Sequence, residues 1–265
     1  MPTKKDKNEF LEILGNRYAK EFFADADRKL GQELDSTGIL VLHGFVSSVA
    51  LRDLQREAAS IKSNAYGSTS SYNIYVLPTD ERIATTAPRN RKFETTKGCV
   101  ADDQISEGSI LRSLYVAPLF RDFICRLQGL QEIFPYADTL SSININYYDP
   151  TDSLEWHFDN ADFAITLLIK KCDRGGVYEY MPNIRYTETG EENYTEIADI
   201  LDGKITPRRA EMEEGDLMIF RGNRSLHRVT NIEIGERILV TLNYNVRPGI
   251  PLSEKSRMTF FGRVS

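Results

Sequence analysis

From residue 141 onward the chain is a series of short apolar or alternating runs divided by turn residues: 141-SSININYY-148, 154-LEWHFD-159, 163-FAITLLI-169, 176-GVYEYMP-182, 216-DLMIF-220, 226-LHRV-229 and 237-RILVTLNYNV-246. Runs of this length, rich in β-branched and aromatic residues, read as strands. One helix, 193-NYTEIADIL-201, interrupts them. Upstream the pattern changes. Residues 8–32 place Phe10, Leu11, Leu14, Tyr18, Phe22 and Phe23 at amphipathic-helix spacing. A second helix, 49-VALRDLQREAASIK-62, follows the capping serines Ser47 and Ser48. The stretch 109-SILRSLYVAPLFRDFICRLQGL-130 reads as two helices broken near Pro118. Two early runs, 38-GILVLHGF-45 and 71-SYNIYVLP-78, read as strands, and the polar, turn-rich 79–107 as a long loop or lid over a site. Helices first and short strands after predict a mainly β protein, a sandwich or jelly roll with flanking α-helices. We read residues 1–265 as one domain: a mostly helical flanking region (1–135), a jelly-roll core (136–250) and a C-terminal tail (251–265).

Composition narrows the function. With 41% hydrophobic residues, the chain can bury a sizeable core. A net charge of −6 supplies no basic footprint, which disfavours a nucleic-acid polymer as partner. The three cysteines, Cys99, Cys125 and Cys172, have no C-x-x-C spacing, so a disulfide scaffold or structural zinc is not expected and a reducing cytoplasm fits. No run has the length of a transmembrane helix, and MPTKKDKNEF lacks the apolar centre of a secretory signal. The expectation is a cytoplasmic protein without membrane contact. Its oligomeric state is not legible.

The chain has three histidines, His43, His157 and His227. His157 stands two residues before Asp159, at the mouth of an apolar run. On a strand such a pair points to one face, so it is either a surface ion pair or two-thirds of a metal site. His227 comes much later, in 224-RSLHRVT-230. Two histidines and one carboxylate, two on one strand and the third on a distant one, form the facial arrangement that holds non-heme Fe(II) and leaves positions open for chemistry. Four protein ligands would close the site. Arg237 lies ten residues past His227. A 2-oxoglutarate site needs a fixed cation for the distal carboxylate, and arginine gives a planar two-point clamp. Asn146 and Tyr148, on one face of an earlier strand, can donate to the same cosubstrate. We read His43 as a strand or turn histidine without a ligand role. Trp156 points away from His157 by strand alternation and reads as packing.

The segments 146-NYYDPTDSLEWHFD-159 and 215-GDLMIFRGNRSLHRVTNIEIGERILVTLNYNVRPG-249 resemble the Fe(II)/2-oxoglutarate-dependent oxygenases. The pieces 98-GCVADDQI-105, 134-FPYADTLSSININ-146, 175-GGVYEYMPNIR-185 and ENY at 192–194 narrow the resemblance to the BesD/HalD-type (ArpA-like) free amino acid halogenases and their hydroxylase relatives. The resemblance runs from about residue 38 to 249. It implies a double-stranded β-helix, a cupin-like jelly roll. It implies Fe(II) on His157, Asp159 and His227, with 2-oxoglutarate on the metal and on Arg237, supported by Asn146 and Tyr148. With O2 this set oxidises unactivated C–H bonds. Halogenases of this branch carry a small residue such as glycine in place of the metal carboxylate, and the vacated position takes halide. Asp159 is present here, so the resemblance implies hydroxylation, with desaturation or ring formation open to the same ligands.

The resemblance implies a small-molecule substrate, a free amino acid first, with a nucleotide-like metabolite or another natural-product intermediate as the alternative. Candidate contacts are Asn160 beside the metal carboxylate, Asp138 before the Asn146 strand, Asn243 on the face of Arg237, and Arg89 and Arg91 in the 79–107 loop. These are also readable as solvated or structural positions. The charged 186-YTETGEENYTE-196 reads as a solvated loop or a lid. Two readings from other classes stand beside the oxygenase: a non-catalytic metal and 2-oxoglutarate sensor, and a zinc hydrolase, which would not need Arg237.

Overall fold

Apolar runs without clear alternation, such as 163–169, suit strands that are covered on both faces. The computed structural model describes residues 10–18, 27–186 and 189–265 and places these runs in that setting. In chain order the strands are β1 (Ile39–Leu42), β2 (Tyr66–Asn73), β3 (Lys92–Val100), β4 (Ile143–Tyr148), β5 (Leu154–His157), β6 (Ala164–Lys170), β7 (Arg174–Gly175), β8 (Tyr178–Met181), β9 (Arg185–Tyr186), β10 (Glu191–Glu192), β11 (Arg208–Ala210), β12 (Leu217–Phe220), β13 (Leu226–Val229), β14 (Ile232–Ile234) and β15 (Arg237–Leu242). Antiparallel pairing gives a major sheet in the order β1-β12-β6-β15-β4-β3-β2 and a minor sheet in the order β11-β8-β13-β5. These are the two sheets of a jelly roll. The helices are α1 (Asp27–Thr37), α2 (Ser48–Ile61), α3 (Ile110–Val116), α4 (Pro118–Gln128), α5 (Tyr194–Leu201) and α6 (Glu254–Phe261).

One face of the major sheet carries Ile143, Ile145 and Tyr147 of β4, Ile165, Leu167 and Ile169 of β6, and Ile238, Val240 and Leu242 of β15. They share the main core with Leu34 of α1, Leu54 of α2, Leu111 and Leu114 of α3, and Phe120 and Phe123 of α4. The other face, with Leu168, Met218, Phe220 and Leu239, meets Tyr178, Tyr180 and Val229 of the minor sheet. Each such side chain is worth roughly 1.5–3 kcal/mol on full burial. Strand propensities span only about 1 kcal/mol, so two-sided burial is what holds these strands.

Local signals set the helix ends. Ser47 caps α2, its Oγ accepting from the Ala50 amide at 3.2 Å. Pro118 opens α4 after an extended Ala117, and Gly129 closes it in the left-handed region at φ 67.

Several expectations shift. The helix over 8–32 is not continuous: Leu14 bridges to Val46, a 3-10 turn covers Asn16–Tyr18, and α1 begins at Asp27. Phe22 and Phe23 lie outside the described residues. The strand at 71–78 ends at Asn73 and starts earlier, at Tyr66. The loop at 79–107 is shorter than expected, because 92-KFETTKGCV-100 is β3, paired with β2 from Tyr66↔Cys99 to Asn73↔Lys92. Its lysines and threonines hide the pattern. The region expected to be mostly helical therefore contributes three strands to the major sheet. The C-terminal tail contains α6, capped by the Ser253 hydroxyl. The run at 237–246 leaves the sheet after Leu242.

One buried carboxylate ties the β1 turn to the start of β12. Asp216 accepts from the Gly44 amide at 2.7 Å, the Glu213 amide at 2.8 Å and His43 Nδ1 at 2.8 Å. This gives His43 a structural place in a turn. Hydrogen bonds to a charged group are worth about 1.5–3 kcal/mol each. Replacing Asp216 with alanine leaves two amides without acceptors, and we expect a loss of about 3 kcal/mol in urea unfolding, with the slope unchanged.

Candidate active site

His157 ends β5 and His227 sits in β13, directly opposite it in the antiparallel register. The register then slips, so that Val229 pairs with Leu154. Three residues of β5 are spanned by two steps of β13, which is a bulge. The bulge lets both Leu154 and His157 face inward, where simple alternation would separate them. The ring centroids of His157 and His227 are 4.2 Å apart. Each ring is held by its Nδ1: His157 Nδ1 donates to the Glu155 carbonyl at 2.7 Å, and His227 Nδ1 to the Ser225 carbonyl at 2.8 Å. A carbonyl can only accept, so Nδ1 carries a proton and Nε2 is the ring atom turned to Asp159.

Both Nε2 atoms face Asp159. They lie 3.4 Å and 3.6 Å from its Oδ1. Asp159 stands two residues beyond β5, pinned through its amide to the Gly222 carbonyl at 3.0 Å, while the Phe158 amide donates to Ile74 at 2.7 Å. Burial alone would raise the Asp159 pKa, but His227 and His157 hold its carboxyl far below the usual range. Its Oδ2 is enclosed and has no hydrogen-bond partner. For His157, burial and the neighbouring His227 push the imidazole below its ordinary pKa against the pull of Asp159, favouring the neutral ligand form. Ligands about 2.1 Å from one ion at right angles sit about 3 Å apart. The three donor atoms, all within 4.8 Å of one another, are therefore close to a metal-binding geometry.

Aromatic rings close the sides. Tyr178 stacks on His227 at 5.7 Å, Phe220 meets its edge at 5.0 Å, and Tyr72 meets His157 edge-on at 6.3 Å. Burial and the Asp159 charge both push the Tyr178 hydroxyl well above its ordinary pKa, so it stays protonated. Trp156, on the other face of β5, packs under Arg228 at 4.6 Å, as alternation predicts for its side.

Arg237 opens β15 and is only 4% exposed. Tyr148 is directly across the register, and the guanidinium lies 5.9 Å over its ring. Among the described residues Arg237 has no ion-pair partner, and its Nη1 is buried without a hydrogen bond. Burial lowers its pKa, yet arginine remains charged. A buried, uncompensated cation costs several kcal/mol, and an anion placed beside it would offset that cost.

The other sequence candidates separate. Asn146 is on the same face of β4 as Tyr148, but its Oδ1 accepts from Lys97 Nζ at 2.7 Å and its amide reaches the Leu239 carbonyl at 3.4 Å. Asn160 is exposed beside Asp159. Asp138 closes a turn. Its carboxylate accepts from Ser141 at 2.7 Å, from the Leu140 amide at 3.0 Å and from the Leu252 amide at 2.8 Å. Burial opposes ionisation there, and these donors outweigh it and lower the pKa. Asn243 lies past the end of β15, its amide shared among the Ser141 carbonyl, Asn144 and Thr241. Arg91 is paired with Asp202 at 2.7 Å. Arg89 donates to the Pro78 carbonyl and covers the Tyr75 ring. It lines a cleft of about 550 Å³ with Leu77, Asp80 and Arg82, and no triad residue lines that cleft. Within 186–196, Tyr186 of β9 pairs with Glu191 of β10 and Tyr194 opens α5, while residues 187 and 188 lie outside the described residues.

One residue escaped the sequence reading. A Cβ on Gly222 would stand 1.9 Å from Asp159 Oδ2 and 2.5 Å from its Cγ. Only glycine lets this carboxylate lie where it does. The signal available was a glycine in 220-FRGNRS-225, indistinguishable from an ordinary turn.

The architecture is that of known oxygenases. The structure is similar to the carbocyclase SnoK from nogalamycin biosynthesis (TM-score 0.57, 15% identity, 92% of this chain and 95% of that chain). It is also similar to the epimerase SnoN of the same biosynthesis (0.55, 14%, 83% and 81%). A third is a prolyl hydroxylase from Trichoplax adhaerens, solved with a hypoxia inducible factor peptide (0.55, 13%, 87% and 93%). At these identities the likeness carries the fold, the double-stranded β-helix of the 2-oxoglutarate and Fe(II) oxygenases. The family model for halogenase D (HalD) matches residues 22–250, and the chain belongs to that family. No curated protein matches the chain.

We expect Gly222→Ala to displace Asp159 and weaken Fe(II) binding by about tenfold or more, the range seen when a ligand's support is lost. Anaerobic titration of the metal measures this. Unchanged affinity would mean that Asp159 is not a ligand.

Proposed function

We propose that the protein is an Fe(II)- and 2-oxoglutarate-dependent oxygenase that hydroxylates an unactivated C–H bond of a small polar metabolite, a free L-amino acid first among them. The observation that carries the reading is the pairing of two unsatisfied groups carried by the two sheets: a three-donor metal cluster with a buried carboxylate oxygen at the minor sheet, and a buried Arg237 without an anion on the major sheet. A metal dication would answer the first, and a carboxylate of a dicarboxylate keto acid would answer the second. The residues present fit both groups. A zinc hydrolase leaves Arg237 without a purpose.

His157, Asp159 and His227 hold the metal, with tautomers set by the Glu155 and Ser225 carbonyls. Arg237, over the Tyr148 ring, takes the distal carboxylate of 2-oxoglutarate. Tyr148 and Asn146 lie beside it on the same strand face. When bound, Fe(II) and the keto acid would supply, with O2, the oxidising chemistry for an unactivated C–H bond. Tyr178, Phe220 and Tyr72 wall the triad with rings and limit water there.

The family includes halogenases, and Asp159 supports hydroxylation instead. A carboxylate at this position fills a coordination site and neutralises metal charge, so no halide is needed.

The direct test is anaerobic loading with Fe(II) and 2-oxoglutarate, followed by oxygen in chloride buffer, with succinate measured against free L-amino acids and nucleotides. A product heavier by one oxygen, with succinate above the uncoupled background, is expected for one amino acid. A chlorinated product rejects the hydroxylase reading. Absence of any metal-to-keto-acid absorption band rejects the oxygenase.

Two variants test the roles. Asp159→Gly is expected to abolish hydroxylation, and full retention would remove Asp159 from the metal. Arg237→Ala is expected to raise the 2-oxoglutarate Kd by about tenfold to a hundredfold, as loss of a charge-assisted hydrogen bond does, with Fe(II) affinity unchanged.

A further inference from the structure

The reading above requires a second cation if the substrate is an amino acid, because its carboxylate must be held apart from that of 2-oxoglutarate. Arg89 and Arg91 do not serve, being tied to Pro78 and Asp202. Arg228 and Arg209 are both paired with Glu179, at 2.8 Å and 3.1 Å. Lys97 is different. It lies on β3, a strand that bridges the two halves of the site. Two residues before it, Thr95 Oγ1 accepts from the Glu155 amide of β5 at 3.0 Å and from the hydroxyl of Tyr72, the ring that meets His157. Two residues after it, Cys99 pairs with Asn146 of β4. Thr95, Lys97 and Cys99 share one face by strand alternation. Lys97 thus stands between the strand of His157 and the strand that pairs with Arg237.

The ammonium has only neutral company. It donates to Asn146 Oδ1 at 2.7 Å and lies 5.3 Å over the Phe260 ring of α6. Among the described residues it has no carboxylate partner, although the chain has 39 acidic residues to draw on. Its side chain is half-buried. An ammonium carries three donors, and Asn146 takes one.

Resting on the oxygenase reading, we infer that Lys97 is the anchor for the carboxylate of the substrate, aimed by Asn146 and by the Phe260 ring. Asn146 is then a positioning residue for Lys97. The ligand class is a small molecule with a free carboxylate, whose reacting carbon extends from β3 toward the triad.

The test compares wild type with Lys97→Met and Lys97→Arg, each loaded anaerobically with Fe(II) and 2-oxoglutarate. The probes are free L-amino acids and their matched carboxamides, titrated by calorimetry, followed by succinate formation in oxygen. Wild type is expected to bind one amino acid about tenfold to a hundredfold more tightly than its carboxamide, the scale of one charge-assisted hydrogen bond. Lys97→Met is expected to bind acid and amide alike, with KM raised more than kcat falls and 2-oxoglutarate affinity unchanged. Lys97→Arg is expected to restore part of the discrimination, which a purely structural role would not do. If wild type turns over an amino acid and Lys97→Met discriminates acid from amide as well as wild type does, the inference falls and the oxygenase reading stands. If Lys97→Met loses 2-oxoglutarate instead, Lys97 belongs to the cosubstrate and the inference is overturned. If wild type binds no amino acid, the substrate class falls and the inference with it.

Discussion

Two imidazoles held from behind by their own strands, with a carboxylate between them, are the constraint on which the rest depends. The Nδ1 bonds to Glu155 and Ser225 cost the fold little, because backbone carbonyls next to a bulge need donors anyway. What they fix is direction. Both free nitrogens converge on Asp159 Oδ1, and the second carboxylate oxygen is left enclosed and unsatisfied. Leaving such an oxygen unpaired costs roughly 1–3 kcal/mol. Arg237 adds a second unfavourable group, on the major sheet. A fold that tolerates both must be held by something else.

That support comes from the far face of the major sheet. Ile145, Leu167, Ile219 and Val240 are fully enclosed beneath the helical layer. Strands clamped there can present polar side chains inward without losing their register. The inward face is correspondingly mixed: Leu239 and Met218 pack against Tyr178, while Arg237, Asn146 and Thr166 stand in the same rows. The slip between Ile238 and Leu239 in the β15–β6 pairing lies beside Arg237, as the slip in β5–β13 lies beside His157. Both irregularities border site residues, where a bulge re-aims a side chain.

Much of this was legible. The seven core runs, the helix break at Pro118 and the cap at Ser47 all came from local chemistry, and the metal set from residue type and spacing. The bulge was not legible, and the expected i,i+2 geometry for His157 and Asp159 was only partly realised, since Asp159 lies beyond the strand end. β3 was missed because 92-KFETTKGCV-100 has no apolar period. It is a strand through its partners, β2 and β4, and partners are not written in a segment's own residues. Lys97 was missed with it. Arg91, Asp138 and Asn243 looked available because their charges and amides were visible and their partners, Asp202, Leu252 and Ser141, were distant in sequence. Polar residues are easy to nominate and hard to place, since the partner that occupies them is chosen by the fold.

Gly222 and Asp159 bear on the reaction proposed for this chain. The carboxylate occupies the volume over Gly222, where no Cβ can stand. Removing the carboxylate would open space there, beside the Nε2 atoms of His157 and His227. Space alone does not hold an anion. A halide also needs donors aimed at it, and the amides of Phe158 and Asp159 are already bonded to the Ile74 and Gly222 carbonyls. Breaking either bond would loosen the segment that carries His157. The hydrogen-bonded frame around Asp159 is thus tuned to a carboxylate, and a change of reaction requires the frame to change along with the ligand.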